Sequence, residues 1–227
     1  MTPVLIITRP APDGARFAAL VQEAVAVDVI LAPLMEIVPV DADCVADEVI
    51  FTSTNGVAQA ARLGLHSGRA WCVGDRTTAM AQAAGFDAVS AQGTVEDLLT
   101  MILAAGPTGN LAHVRGKEAR GNLAARLRTS GVQCRDVIAY EQRAVALTQE
   151  TKKRIEGAEP TIVPLFSPRT AGLLIEQVTI GTGTVILAMS PAVAKAVPCG
   201  DVHVIAAPTG EAMLAATIAQ CRMLSRN

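Results

Sequence analysis

The sequence predicts an α/β protein built on parallel sheets, and three observations carry that expectation. Short apolar runs alternate with longer Ala-rich segments of helical period through the 227 residues, the order that βα units produce. Hydrophobic residues make up 51% of the chain and aromatic residues only 3%, so the core is aliphatic and suits close packing of helices on a sheet. The chain also repeats itself about halfway along, which calls for two similar halves rather than one large sheet.

Strands are predicted near residues 4–8, 27–33, 47–52, 70–73, 87–90, 111–115, 134–139, 161–166, 184–188 and 203–206, with helices in most of the gaps. The first run, Val4 to Ile7, stops at Thr8 and Arg9. It is shorter than the roughly 7 to 15 apolar residues of a signal-peptide core and reads as a buried strand. A helix is expected from Asp13 to Ala24 behind Pro12, and another from Val95 behind Thr94, with Glu96 and Asp97 in its first turn. No stretch approaches the roughly 18 apolar residues of a membrane helix, so a cytoplasmic protein with no membrane partner is expected.

The repeat is visible within the chain. FTSTNGVAQAA at 51–61 returns as FSPRTAGLLIE at 166–176, with Ser53 opposite Ser167, and GTVEDLL at 93–99 returns as PTGEAML at 208–214. Between them WCVGDRTTAMAQAAG at 71–85 parallels LAMSPAVAKAVPCG at 187–200. VLIITRP at 4–10 resembles LAHVRG at 111–116, each delivering an arginine, Arg9 or Arg115, to a helix start. PLMEIVPV at 33–40 matches IAYEQRAV at 138–145, with Met35 opposite Tyr140. The order is A, B, A′, B′, and the repeat alone leaves open which A folds with which B. The polar stretches VPVDADC at 38–44 and TQETKKRIEGAEP at 148–160 favour a chain that crosses twice.

A formal charge of −2 supplies no field to hold a phosphate backbone, so nucleic acid is not an expected partner. Cys44, Cys72, Cys134, Cys199 and Cys221 are scattered, with no CxxC pair, and read as reduced core thiols. GxGxxG, GxxxxGK[ST] and GxSxG are all missing, which excludes a nicotinamide enzyme of the usual fingerprint and a nucleophile elbow. His66, His113 and His203 have no spacing for a metal and read as structural or exposed.

Chemistry is expected in the loops beyond the strand ends, where helix N-termini offer unpaired N–H groups. Those loops carry Thr52 to Gly56, Gly74 to Thr77, Gly116 with Lys117, and Ser167 with Pro168. Hydroxyls, glycines and free N–H groups suit a ligand with several carboxylates, although any one hydroxyl there can equally serve as a helix cap. Arg9, Arg115, Lys117, Arg120 and Arg169 stand at strand ends or helix starts, positions from which a guanidinium or ammonium meets a carboxylate. Tyr140 is the only tyrosine. A phenol carries its proton at neutral pH and can donate it to a leaving group.

The series IITRP, IFTSTNGV, VGDRTTAMAQAAGF, GTVEDLL, RG with a later RxxL, GVxxxxxxxYE, LFSP and APTGEAML resembles the uroporphyrinogen-III synthase family in order and spacing, over nearly the whole chain. The resemblance implies two doubly wound, flavodoxin-like domains, one made of residues 1–37 with 147–227 and the other of 43–140. It implies a two-stranded linker from the crossings at 36–45 and 141–150, and so selects B with A′. It implies a cofactor-independent hydro-lyase whose small-molecule substrate, the linear tetrapyrrole hydroxymethylbilane, closes to uroporphyrinogen III with loss of water and inversion of the last pyrrole ring; a monomer whose lobes are joined only by the two short crossings is expected. Carried over by motif, Tyr140 is the catalytic acid, and Ser53, Thr77 and Ser167 bind substrate; Asn55, Arg115, Gly116 and Pro168 are expected to bind it from their own place at the strand ends and helix starts. One departure is the loop SPAVA at 190–194, which lacks the hydroxyl pair of GDRTTA. The competing expectation is a two-lobed protein that binds or senses a small anion without chemistry. A tyrosine at the hinge is what such a binder would not need.

Overall fold

The computed structural model describes residues 2–225 except Ser67, Ala119 and Arg120, so the arginine expected at position 120 lies outside the described residues. In chain order the elements begin β1 (Val4–Ile7), α1 (Asp13–Ala24), β2 (Asp28–Leu31), β3 (Met35–Pro39), β4 (Glu48–Phe51), α2 (Thr54–Arg62) and β5 (Arg69–Cys72). They continue α3 (Asp75–Ala83), β6 (Asp87–Ser90), α4 (Val95–Ala105), β7 (Leu111–Gly116), α5 (Leu123–Thr129) and β8 (Cys134–Ala144). The last are α6 (Gln149–Glu156), β9 (Thr161–Leu165), α7 (Pro168–Ile175), β10 (Thr184–Ala188), α8 (Pro191–Lys195), β11 (Asp201–Val204) and α9 (Gly210–Ser225).

The chain divides into two compact units, one of Met1–Glu36 with Arg143–Asn227 and one of Ile37–Gln142. The first holds a five-stranded sheet in the order β11-β10-β9-β1-β2, and each of its pairings is parallel. Strand alternation splits its core between two faces. Ile6, Val163, Leu165 and Ile186 meet Ala171 and Leu174 of α7 and Val193 of α8, while Leu5, Ile7, Ile162 and Leu187 meet Phe17 and Val21 of α1 and Met213 of α9.

The second sheet has the order β3-β8-β7-β4-β5-β6, with β4 to β8 joined by parallel pairings. Val49, Phe51, Val114, Val137 and Ala139 pack with Val57 and Ala60 of α2 and Ala81 of α3. Ile50, Trp71 and Leu111 pack on the other face with Leu98 and Ile102 of α4 and Leu123 and Leu127 of α5. Read from β9, the first sheet has the strand sequence of the second: β9, β10, β11, β1 and β2 occupy the places of β4, β5, β6, β7 and β8. The repeat in the sequence is thus a repeat of sheet positions, with the chain order permuted between the two units.

Helix starts agree with the capping chemistry. Thr94 and Asp97 form a reciprocal capping box on α4, and its repeat partner Thr209 accepts from the N–H of Ala212 at 3.1 Å. Ser190 accepts from the N–H of Val193 at 3.4 Å, so the loop that lacks the hydroxyl pair still caps its helix. The largest departure from the expected strands is at β8. The run predicted to end at residue 139 continues as β8 to Ala144, because β3 lies beside its far end: Val40 N–H donates to Ala139 O and Val145 N–H to Leu34 O, both at 2.9 Å. The rising index on one strand meets a falling index on the other, so this pair is antiparallel.

The cysteine expectation needs correcting in two places. All five thiols are free, but Cys199 is exposed and Cys44 only half-buried, because both lie outside the strands and helices. Burial pushes Cys72, Cys134 and Cys221 up to about 11, so these three stay protonated at neutral pH and are poor nucleophiles. Among the described residues, no helix is long and apolar enough to cross a membrane.

Candidate active site

In a parallel sheet every strand delivers its carboxyl end to the same edge. In the second unit that edge collects the loop after β4 with Ser53 and Asn55, the loop after β5 with Gly74 to Thr77, and the end of β7 with Arg115 and Gly116. Tyr140 of β8 faces Gly116.

Ser53 caps α2 by accepting from the N–H of Gly56 at 3.2 Å. The same oxygen lies 3.0 Å from the Tyr140 hydroxyl, 87 residues away in sequence. The cap reading and the site reading therefore hold together for Ser53. A bulge brings the tyrosine there. Arg115 stands opposite Ile138, yet Gly116 stands opposite Tyr140, so β8 carries one extra residue. Strict alternation from Ile138 would turn residue 140 toward the α4 and α5 face. The extra residue instead puts Tyr140 in the same cluster as Val137 and Ala139, 4% exposed, on the α2 face where Ser53 waits.

Gly116 is the other half of this placement. A Cβ on it would lie 2.6 Å from Cε2 of the Tyr140 ring, so only glycine lets the ring lie flat against the strand. The backbone is fixed as well: Lys117 N–H donates to Tyr140 O at 2.9 Å, and Gln142 N–H donates to the Glu118 carboxylate at 2.9 Å.

Arg115 is only partly free to bind. Its Nε donates to Asp136 Oδ1 at 2.7 Å and its Nη1 to the Gly116 carbonyl at 3.0 Å. Asn55 is half-buried in the first turn of α2. Thr77 is buried in the first turn of α3, whose cap, Gly74, has no side chain to satisfy the first-turn N–H groups. A Cβ on Gly74 would meet nothing within 4 Å, so the ground before those N–H groups is open. Uncapped first-turn amides at the positive end of a helix dipole suit a carboxylate.

Ser167 and Pro168 belong to the first unit. Ser167 caps α7, accepting from the N–H of Thr170 at 3.1 Å, and Pro168 fills the first helical position. Near it Arg9 stacks on Phe166, 4.3 Å from the ring centroid, and pairs with Asp13 at 3.0 Å. A cavity of about 570 Å³ in this unit lies at the amino ends of β1 and β2, lined by the mixed charges of Asp28, Glu150, Lys153, Arg154 and Glu159. It is at the wrong edge of the sheet for the loops just described.

Sequence reasoning missed the polar row behind the Ser53–Tyr140 pair. Thr52 Oγ1 is 3.1 Å from His113 Nε2, and His113 Nδ1 is 3.1 Å from the Asp136 oxygen that also takes Arg115. The His113 hydrogen bond above all, then that of Arg115, holds Asp136 at about 2 against the desolvation that opposes it. A carboxylate lowered by folding adds stability above its unfolded pKa, near 4, and that stability is lost as pH falls toward 2. Asp136→Asn is therefore expected to cost about 1–2 kcal/mol at neutral pH, discounted for its partial exposure, and the deficit should shrink as pH falls. Urea unfolding of both proteins between about pH 2 and 5 reads this; a deficit constant with pH would remove the linkage.

Comparisons with known proteins decide the family. A family model described as Uroporphyrinogen-III synthase HemD matches residues 15–215. The chain belongs to the uroporphyrinogen-III synthase family. A uroporphyrinogen-III synthase is a cofactor-independent hydro-lyase of tetrapyrrole and heme biosynthesis, and the activity of this chain is that of its family. Two solved structures of uroporphyrinogen-III synthases share the α/β fold. That of the uroporphyrinogen-III synthetase of Helicobacter pylori is 15% identical with a TM-score of 0.68, over 96% of this chain and 99% of that one. That of a mutant uroporphyrinogen III synthase of Thermus thermophilus is 15% identical with a TM-score of 0.54, over 99% of this chain and 100% of that one. A comparison with curated proteins finds no significant match for this synthase.

Proposed function

We propose that the chain closes hydroxymethylbilane to uroporphyrinogen III with Tyr140 as proton donor and Ser53 as its partner. The observation that carries the reading is the 3.0 Å hydroxyl pair itself. Gly56 N–H already donates to Ser53 Oγ, so the Ser53 O–H is available to donate to the phenol oxygen. The phenol O–H is then free to point at the leaving hydroxyl. As the proton moves and the C–O bond breaks, charge growing on the phenol oxygen is met by the Ser53 O–H and is not left alone in a buried place. The hydroxyl departs as water.

The electron-rich pyrrole stabilises the cation that remains, so a weak acid suffices and the larger task is positional. The substituted carbon of the terminal ring must attack first, giving a spiro intermediate that fragments and recloses with the ring inverted. The proton lost when the last pyrrole regains aromaticity balances the one donated. Ser53, Asn55, Thr77, Arg115, Gly116 and Ser167 are assigned to the substrate's carboxylates and Pro168, which has no N–H to donate, to its apolar surface, and the open first turn of α3 supports the carboxylate assignment.

The finer architecture is proposed on the same footing: two flavodoxin-like domains joined by a linker of β3 and β8. The order β2-β1-β9-β10-β11 supports it as the flavodoxin order 2-1-3-4-5, and the second unit has the permuted form. The chain is proposed to act as a cytoplasmic monomer on a small-molecule tetrapyrrole, with no nucleic-acid or membrane partner. A formal charge of −2 supports the part of this that concerns nucleic acid.

The test is an assay with enzymatically generated hydroxymethylbilane that resolves the I and III isomers of the product. Accumulation of isomer III above the spontaneous level is expected; isomer I alone would leave the small-anion binder. Carboxylate recognition spread over many groups also sets the size of single losses. Ser53→Ala and Arg115→Ala should each weaken product binding by about 1–2 kcal/mol. Complete loss of binding from either change in a folded protein would refute a distributed site.

A further inference from the structure

We propose that His113, held between Thr52 and Asp136, is a positioning residue that sets the hydroxyl pair of Ser53 and Tyr140. The inference rests on the reading of that pair as the acid. The polar row crosses three neighbouring strands. Thr52 follows the last residue of β4, His113 lies in β7 in register with Ile50 and with Asp136 of β8, and Arg115 is two residues further along β7. Side chains two apart share a face, so His113 and Arg115 emerge on the α4 and α5 side, opposite the face that holds Tyr140.

Each end of the row adjoins one member of the pair. Thr52 immediately precedes Ser53, and Arg115 Nη1 holds the carbonyl of Gly116, the residue against which the Tyr140 ring lies. Asp136, ionised, can only accept, so His113 Nδ1 carries the proton to it and Nε2 is left for the Thr52 hydroxyl. The imidazole is 4% exposed with both nitrogens engaged, so the strand ends cannot shift without breaking a buried hydrogen bond.

The first unit supplies an internal comparison. Its strands β9, β1 and β2 stand where β4, β7 and β8 do, and there the places of Thr52, His113 and Asp136 are taken by Phe166, Ile7 and Leu31. The same half carries Met35 in the place of Tyr140. Apolar side chains at these three places are thus compatible with the same sheet. The polar row occurs in the half that has the tyrosine, which ties it to the hydroxyl pair and not to the fold.

The experiment is steady-state kinetics on hydroxymethylbilane for Thr52→Val, His113→Asn and Tyr140→Phe, and for each of the first two combined with Tyr140→Phe. Asparagine keeps a nitrogen near the Nδ1 position toward Asp136 and drops the arm to Thr52, so His113→Asn should match Thr52→Val. Each is expected to lower kcat about 10-fold, the size of effect typical of groups that orient a reacting residue, with KM within about twofold. In the Tyr140→Phe background neither should lower kcat further. Thr52→Val removes one hydroxyl at constant shape and keeps the test open if His113→Asn fails to fold. Wild-type kcat for Thr52→Val beside a slow Tyr140→Phe defeats the inference alone, as does an undiminished loss in the double variant. Wild-type kcat for Tyr140→Phe defeats the reading of the acid, and the inference with it.

Discussion

Tyr140→Phe is expected to fold as the parent and to lower the rate of isomer III formation more than any other single hydroxyl removal, by about 100-fold or less. General acid assistance is typically worth about 100- to 10,000-fold. The lower end applies because the leaving hydroxyl departs from an electron-rich pyrrole with little help. The ring keeps its packing against Gly116, Val137 and Ala139, and Ser53 keeps its bond from Gly56, so the fold loses one hydrogen bond, about 1 kcal/mol. Rapid-quench kinetics with isomer analysis measures the rate and urea unfolding the stability. Should Tyr140→Phe turn over at the wild-type rate while Thr77→Ala or Ser167→Ala loses most activity, the acid belongs among those hydroxyls or to a bound water.

Gly116→Ala is expected to do comparable damage while leaving every hydroxyl in the protein. Its new Cβ would lie 2.6 Å from Cε2 and 2.8 Å from Cζ of Tyr140, inside any tolerable contact. The ring is 4% exposed and belongs to the buried cluster that also holds Phe51, Val57 and Ala139, so it cannot swing aside cheaply. Overpacking of this kind costs about 1–3 kcal/mol of stability. It also pushes the Tyr140 hydroxyl off Ser53, and a displacement of about 1 Å is enough for a loss near 100-fold. Turnover and the melting temperature measured on the same preparation separate the two effects. Gly116→Ala with wild-type turnover would show that the ring's position against the strand is immaterial, and the geometric account of the acid would fall. Gly172→Ala, inside α7, is the control, since a Cβ there meets nothing within 4 Å.

The two changes reach the same hydroxyl pair by different routes. Removing the phenol oxygen abolishes the donor and leaves the packing. Adding a methyl at Gly116 leaves the donor and moves it. If both lower kcat with little change in KM, the pair contributes in the transition state and not to ground-state binding.

Much of this protein follows from local sequence, because local sequence sets local structure. Periodicity placed strands such as 87–90 and 184–188 at the positions where they occur, since side-chain alternation and helical period are properties of a few consecutive residues. Thr94 with Asp97, and Ser53 and Ser167, announce helix starts because a capping oxygen reaches an N–H only two or three residues on. The A, B, A′, B′ repeat and the family motifs are likewise written in order along the chain. The tertiary structure decided what depends on registers between strands. Nothing near Tyr140 signals that the ladder slips by one at Arg115 and Gly116, yet that slip turns the phenol to the face where Ser53, 87 residues away, meets it. His113 looked structural by its isolation in sequence. It meets Thr52 and Asp136, 61 and 23 residues distant, only because β4, β7 and β8 lie side by side. A hydrogen-bond ladder between strands is a long-range object, and its bulges and neighbours exist only once the sheet has formed.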